Sequence, residues 1–113
     1  MNERALLFVY GSLKRGQPNH ERLGAAVFVA EVRTAPSFAL HFIAGYPALA
    51  PGSRSIRGEL FRVSAELLAE LDEFEGDGYV RTEIALSGST LALAYLAAEP
   101  DSGALLDNDQ WPM

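Results

Sequence analysis

The chain has 113 residues, a formal net charge of −6 and no cysteine, with 49% hydrophobic and 21% charged residues. That size and balance fit one globular domain able to bury a core unaided. The acidic excess argues against nucleic acid as a partner, because phosphate contacts need a basic surface. Missing thiols exclude a disulfide framework, a cysteine nucleophile and thiolate metal sites.

No apolar run approaches the ~18 residues of a membrane-spanning helix, so no membrane association is expected. Glu3 and Arg4 lead into too short an apolar stretch for a secretory leader. A cytoplasmic location is the corresponding expectation.

Ala5 to Val9 is a compact apolar run and reads as a buried strand. Tyr10-Gly11-Ser12-Leu13-Lys14-Arg15-Gly16-Gln17-Pro18-Asn19 follows as a turn rich in glycine, hydroxyl and cationic residues. Glycines let main-chain N–H groups approach a ligand, and such a nest suits an anionic or zwitterionic group. Asn19 to Leu23 predicts a short helix with Asn19 as N-cap.

Ala26 to Arg33 and Phe38 to Ile43 read as strands. Gly45-Tyr46-Pro47 and Pro51-Gly52-Ser53 punctuate a loop between Ile43 and Ile56. Ile56 to Val63 alternates apolar and polar residues, as a half-exposed strand does. Ser64 to Glu75 predicts the main helix, capped by Ser64 and stopped by Gly76 and Gly78. Tyr79 to Leu86 and Thr90 to Ala97 predict a hairpin turning at Ser87-Gly88-Ser89. Tyr79 and Arg81 share one face of the first strand by period two; Val80, Thr82, Ile84 and Leu86 take the other. Residues 98–113 are polar and proline-containing and predict a loose tail, with Trp111 able to pin its end. About six strands and one main helix predict a small, mixed, barrel-like α+β fold over one domain, residues 1–113.

At ~100° per residue, Leu67, Leu68, Leu71 and Phe74 form one apolar stripe on that helix, and Glu66, Glu70 and Glu73 lie away from it. Glu75 falls within the stripe, four residues after Leu71, at the end where the helix dipole disfavours negative charge. Burial and dipole would both raise its pKa, which suits a general acid/base near neutral pH. A frayed helix end with Glu75 in water is the plainer alternative. Tyr79 either offers its hydroxyl to a ligand beside Glu75 or serves as a core residue with a satisfied hydroxyl.

Other chemistries fit poorly. Gly11 and Gly16 have P-loop spacing, but Gln17-Pro18 replace the required Lys and Ser/Thr. No third glycine or downstream acid completes a dinucleotide fingerprint. Ser12 lacks a nucleophile elbow, and His20 and His41 are the sole imidazoles. Two separated histidines give no basis for a metal site, and no cofactor is expected.

Val9 through His20 resembles the signature loop of the γ-glutamylcyclotransferase-like (AIG2-like) superfamily; its Lys-Arg-Gly-Gln-Pro-Asn-His run is most similar to the γ-glutamylamine cyclotransferase branch. Tyr46-Pro47, Gly58-Glu59-Leu60-Phe61, and Leu71 to Gly76 followed by Tyr79 and Arg81 resemble further family elements in the same order. The likeness covers about residues 5 to 97; the chain is shorter than many relatives, and its C-terminal region has no evident counterpart. The resemblance implies a small β-barrel with flanking helices, substrate binding by Tyr10, Gly11, Ser12 and Leu13, and Glu75 as the catalytic acid/base. It implies a small γ-glutamyl substrate converted to 5-oxoproline and a free amine, with no metal or cofactor. A monomer or a homodimer is expected, and nothing in the sequence selects between them. Two alternatives stay open: a binding module of the same fold without turnover, and removal of a γ-glutamyl group from a biosynthetic intermediate.

Overall fold

In a computed structural model describing residues 4–112, the strands are β1 (Arg4–Val9), β2 (Val27–Arg33), β3 (Phe38–Ile43), β4 (Tyr46–Pro51), β5 (Arg57–Ser64), β6 (Tyr79–Ala85), β7 (Leu91–Ala97) and β8 (Ala104–Leu106). The helix α1 (Ala65–Glu75) joins β5 to β6, and a short 3₁₀ turn covers His20–Leu23. The absence of a leader read at residues 1–3 lies outside the described residues. All eight strands join one mixed sheet, in the order β2-β5-β1-β7-β4-β3-β8 with β6 paired to β7.

The apolar run of β1 is explained by burial on both faces, as for an interior strand. Phe8 and Tyr10 enter a cluster with Leu40, Leu49, Ile56, Leu60 and Ile84 on the concave side. Leu7 and Val9 enter a second cluster with Phe61, Val63, Leu68, Leu71 and Tyr95, beneath α1. The sheet curls into a half-barrel. At one end the bridge Thr34↔Leu86 and the 2.9 Å bond from Ser87 N–H to the Arg33 carbonyl bring β2 against the end of β6.

The sheet divides at β7. One edge of β7 pairs with β6 from Leu91 to Ala97. The other edge pairs in parallel with β1 at Leu7↔Leu93, then with β4 at Leu49↔Leu96. Strands β1 and β4 therefore diverge from a shared neighbour. The chain leaving β1 emerges at that divergence, the kind of place where open sheets form ligand crevices.

Three expectations need correction. Tyr46–Pro51 is strand β4, not loop, and pairs along its length with β3. Its four inner residues, Pro47 to Ala50, are all buried, so it lacks the alternation that marks a half-exposed strand. Asn19 makes no side-chain cap to the 3₁₀ turn. Its amide donates instead to the Ser12 hydroxyl at 2.9 Å.

The third correction concerns the tail. Over residues 98–112 it is docked, not loose. Strand β8 pairs with β3 through Leu40↔Leu106, His41↔Leu105 and Phe42↔Ala104. The Asp109 carbonyl accepts from Arg57 N–H at 2.7 Å. Its carboxylate lies 3.1 Å from Arg33 and 3.7 Å from Arg57, and Asp107 meets Arg54. Trp111 packs against the concave core. Backbone pairing and ion pairs hold this segment, and polar composition does not reveal them. Trp111→Ala should lower unfolding stability by about 2–3 kcal/mol, below the 3–5 of a fully buried tryptophan because the ring is half-buried. Urea titration checks this; an unchanged midpoint would mean that the tail is not docked in solution.

Candidate active site

The loop after β1 is built from its own hydrogen bonds. Lys14 N–H donates to the Gly11 carbonyl at 3.1 Å, and Asn19 N–H donates to the Ser12 carbonyl at 2.9 Å. The His20 ring Nδ1 lies 2.9 Å from the Leu13 carbonyl. Arg15 is drawn off to Glu59, its backbone N–H at 2.9 Å and its Nε at 3.3 Å, with its guanidinium over the Phe28 ring. Gly11 meets the Pro47 ring so closely that a Cβ there would lie 2.7 Å from Pro47 Cγ, so only glycine fits. The N–H groups of Ser12 and Leu13 have no protein acceptor among the described residues.

Helix α1 starts as the sequence indicates. The Ser64 hydroxyl accepts from Leu67 N–H at 3.1 Å. Leu68 and Leu71 are buried against the sheet. Gly76, at φ 68°, ends the helix and returns its N–H to the Asp72 carbonyl. This positive φ suits a residue without Cβ.

Between loop and helix end lies a cavity of about 300 Å³. Tyr10, Gly11, Ser12, Leu13, Tyr79 and Glu75 all line it. The structure thus brings together the six residues that the sequence offers as catalytic or substrate-binding, while Arg81, His20, His41 and Trp111 do not line the cavity. Phe8, Val9, Asn19, Tyr46, Pro47, Phe74 and Tyr95 complete the wall. Tyr95 was legible in principle: Tyr79 and Arg81 were read onto one face of β6, and the hairpin register sets Arg81 opposite Tyr95.

Three phenols surround the carboxyl of Glu75, yet each sends its proton elsewhere. Tyr10 donates to the Tyr95 carbonyl and accepts from Leu49 N–H at 2.9 Å. Tyr79 donates to the Pro47 carbonyl at 2.9 Å. Tyr95 donates to Asp72 Oδ1 at 2.7 Å. No hydrogen bond among the described side chains ends on the Glu75 carboxylate. Burial without a compensating donor pushes its pKa up to about 7. Burial, then the nearby Glu75 and Tyr46, pushes the Tyr79 phenol up to about 12. Burial likewise raises Tyr10 far above its ordinary value, so both phenols stay neutral. Tyr79 lines the cavity, and its hydroxyl proton is committed to the Pro47 carbonyl, as the reading of a satisfied hydroxyl expects. Among the described residues no cluster of His, Asp or Glu is placed to hold a metal ion.

Residues 7–113 match the family described as gamma-glutamyl cyclotransferase, AIG2-like. The chain belongs to this family. The family match runs through the C-terminal segment that the sequence motifs left unplaced. The chain is 48% identical over 82 residues to gamma-glutamylaminecyclotransferase of Homo sapiens, covering 63% of this chain and 53% of that protein. It is 39% identical over 70 residues to a putative gamma-glutamylcyclotransferase of Vibrio cholerae, covering 62% of this chain and 61% of the relative. The matches thus span between half and two thirds of these relatives' length. A crystal structure of an AIG2-like protein from Mus musculus superposes with TM-score 0.80 at 29% identity, covering 96% of this chain and 88% of that one.

The elevated Glu75 pKa has a consequence for stability within this AIG2-like site. The folded value of about 7 lies above the 4.5 of a free glutamate, so the folded state binds the proton more tightly. Ionising Glu75 therefore destabilises the fold progressively between about pH 4.5 and 7, and the cost is constant above. Glu75→Gln should match wild type near pH 4 and be about 1–3 kcal/mol more stable at pH 8–9. Thermal or urea unfolding across that range checks it. A difference that does not grow with pH would place the carboxylate in water.

Proposed function

We propose that this chain is a cyclotransferase that converts a γ-glutamyl amine or γ-glutamyl amino acid to 5-oxoproline and the free amine. The observation that carries the reading is Glu75: a half-buried carboxyl with no donor aimed at it, opposite the open main-chain N–H groups of the loop after β1. The names of the human and V. cholerae relatives support the reaction class.

The substrate carries its own nucleophile. Its α-carboxylate docks on the Ser12 and Leu13 N–H groups, which supply charge-assisted hydrogen bonds without a cation. Glu75, ionised, takes a proton from the α-ammonium. The freed amine attacks the γ-carbonyl, a C–N bond closes the five-membered ring, and the tetrahedral oxyanion is met by main-chain donors of the same loop. Glu75 then returns the proton to the departing nitrogen as the original amide bond breaks, and the second proton shed by the ring nitrogen as it becomes the lactam N–H is taken up by the released amine, which departs as its ammonium form. No water is consumed. Holding the glutamyl chain folded contributes much of the acceleration, since oriented intramolecular reactions gain about 7–11 kcal/mol. A carboxyl titrating near 7 is a stronger base than an ordinary glutamate and remains able to return the proton at neutral pH.

Assay of 5-oxoproline release from γ-glutamyl-ε-lysine, γ-glutamyl-alanine and glutathione tests the reading. Wild type should turn over at least one of them, and Glu75→Gln should lose about 10²–10⁴-fold in kcat while keeping its fold. Comparable turnover by the variant would remove Glu75 from the mechanism. Tight binding without turnover by wild type would replace the enzyme with a small-ligand-binding module. The kcat/KM profile of wild type should show an acid limb with apparent pKa of about 7, because protonation of Glu75 removes the base. A limb at ordinary glutamate values would mean that the base is another group.

A further inference from the structure

The cavity adjoins a second cleft. Tyr79 and Tyr95 line both spaces, and the cleft's remaining walls are Asp72, Val80 and Arg81. Arg81 faces Tyr95 directly across the β6–β7 ladder. Asp72 precedes Glu75 by three residues, so the two acids stand one turn apart on the same side of α1. Glu75 lines the cavity and Asp72 lines the cleft.

The charges in this cleft are unevenly tied. Asp72 Oδ1 accepts the Tyr95 hydroxyl at 2.7 Å. Its Oδ2 lies 3.5 Å from Arg81 Nη1, too long for a well-formed charged hydrogen bond. The guanidinium is thus held in place but keeps donors free, with its side chain 36% exposed. Arg81 is the one cation lining either space among the described residues. Arg22 stacks on the Phe74 ring and lines neither space, so within the cleft a second carboxylate on a substrate meets the Arg81 guanidinium.

We propose that Arg81 is the leaving-group receptor. It binds a free carboxylate carried by the departing amine, and so favours γ-glutamyl derivatives of amino acids over those of simple amines. The assignment rests on the reading above, in which the glutamyl carboxylate occupies the Ser12–Leu13 loop. The departing portion then leaves past Glu75 between the two tyrosine rings that the cavity and cleft share. Asp72, fixed by Tyr95, is a positioning residue that keeps the guanidinium over the cleft. The competing exit runs past the exposed ring of Tyr46, which offers no charge.

Matched substrates that differ by a single carboxylate test this: γ-glutamyl-ε-lysine against γ-glutamyl-cadaverine, and γ-glutamyl-alanine against γ-glutamyl-ethylamine. Wild type should prefer the carboxylate-bearing member of at least one pair by tenfold or more in kcat/KM. Arg81→Gln should shrink that ratio towards one, and Arg81→Lys should keep part of it. An equal fall for both members, or no fall, overturns the assignment. The same pairs are also titrated calorimetrically into Glu75→Gln, with and without Arg81→Gln, so that binding is read without chemistry. If wild type cyclises no compound but the binding gap persists and needs Arg81, the cyclotransferase reading fails and the receptor stands. If no gap appears in binding, the receptor fails whatever is turned over.

Discussion

One phenol holds the divergence on which the site depends. Where β1 leaves β7 and β4 takes its place, a ladder position is lost and backbone groups would go unpaired. The Tyr10 hydroxyl fills that gap, accepting from Leu49 N–H on β4 and donating to the Tyr95 carbonyl on β7. It can do both because a hydroxyl is donor and acceptor at once, whereas a phenylalanine would leave two buried polar groups unsatisfied. Its burial raises its pKa and keeps the proton on the oxygen, so the donor half of the bridge persists at any working pH. With the gap bridged, the chain after Tyr10 turns away from the sheet, and the cavity opens in the space between. The nest at Gly11 to Leu13 is thus a consequence of sheet topology as much as of loop composition.

The same economy of donors sets the character of Glu75. Three tyrosines stand around it, and a hydroxyl turned towards the carboxylate would have stabilised the anion and lowered its pKa. Instead Tyr10, Tyr79 and Tyr95 are committed to the Tyr95 carbonyl, the Pro47 carbonyl and Asp72. The polar atoms of the wall satisfy one another and leave the acid alone. Asp72, one turn earlier, is the contrast: it has a phenolic donor and a nearby guanidinium. Two carboxyls on one helix end thereby have different hydrogen-bond partners.

How much of this was legible depended on whether the signal was local. The β1 run, the Ser64 cap, the apolar stripe of α1 and the misplaced Glu75 are all short-range patterns, and each was read within a residue or two of its place. Strand β4 was not, because Pro47 and Gly52 read as loop punctuation and burial on both faces removed the alternation. Pro47 is tolerated there because its ring packs against Gly11 and its carbonyl takes the Tyr79 proton. The docked tail was missed for the opposite reason. Its anchors are backbone pairs and the carboxylates of Asp107 and Asp109, whose arginine partners lie more than fifty residues away in sequence. No window along the chain contains both halves of such a contact.

The tail also bears on the site, although no tail residue lines the cavity. Trp111 packs on the concave core and comes near Gly11, so the loop that turns off β1 is flanked by Pro47 and by an indole. A nest of main-chain donors works only if those donors stay aimed, since oriented N–H groups cost no reorganisation at the moment of reaction. The loop's own bonds at Ser12, Leu13 and Lys14 close it upon itself, but they do not fix it to the barrel. That attachment comes from Tyr10, from the bonds of Arg15 to Glu59 on β5, and from the Pro47–Trp111 wall. The C-terminal segment, which sequence composition reads as a loose tail, therefore packs beside the loop to which the proposed function assigns the substrate carboxylate.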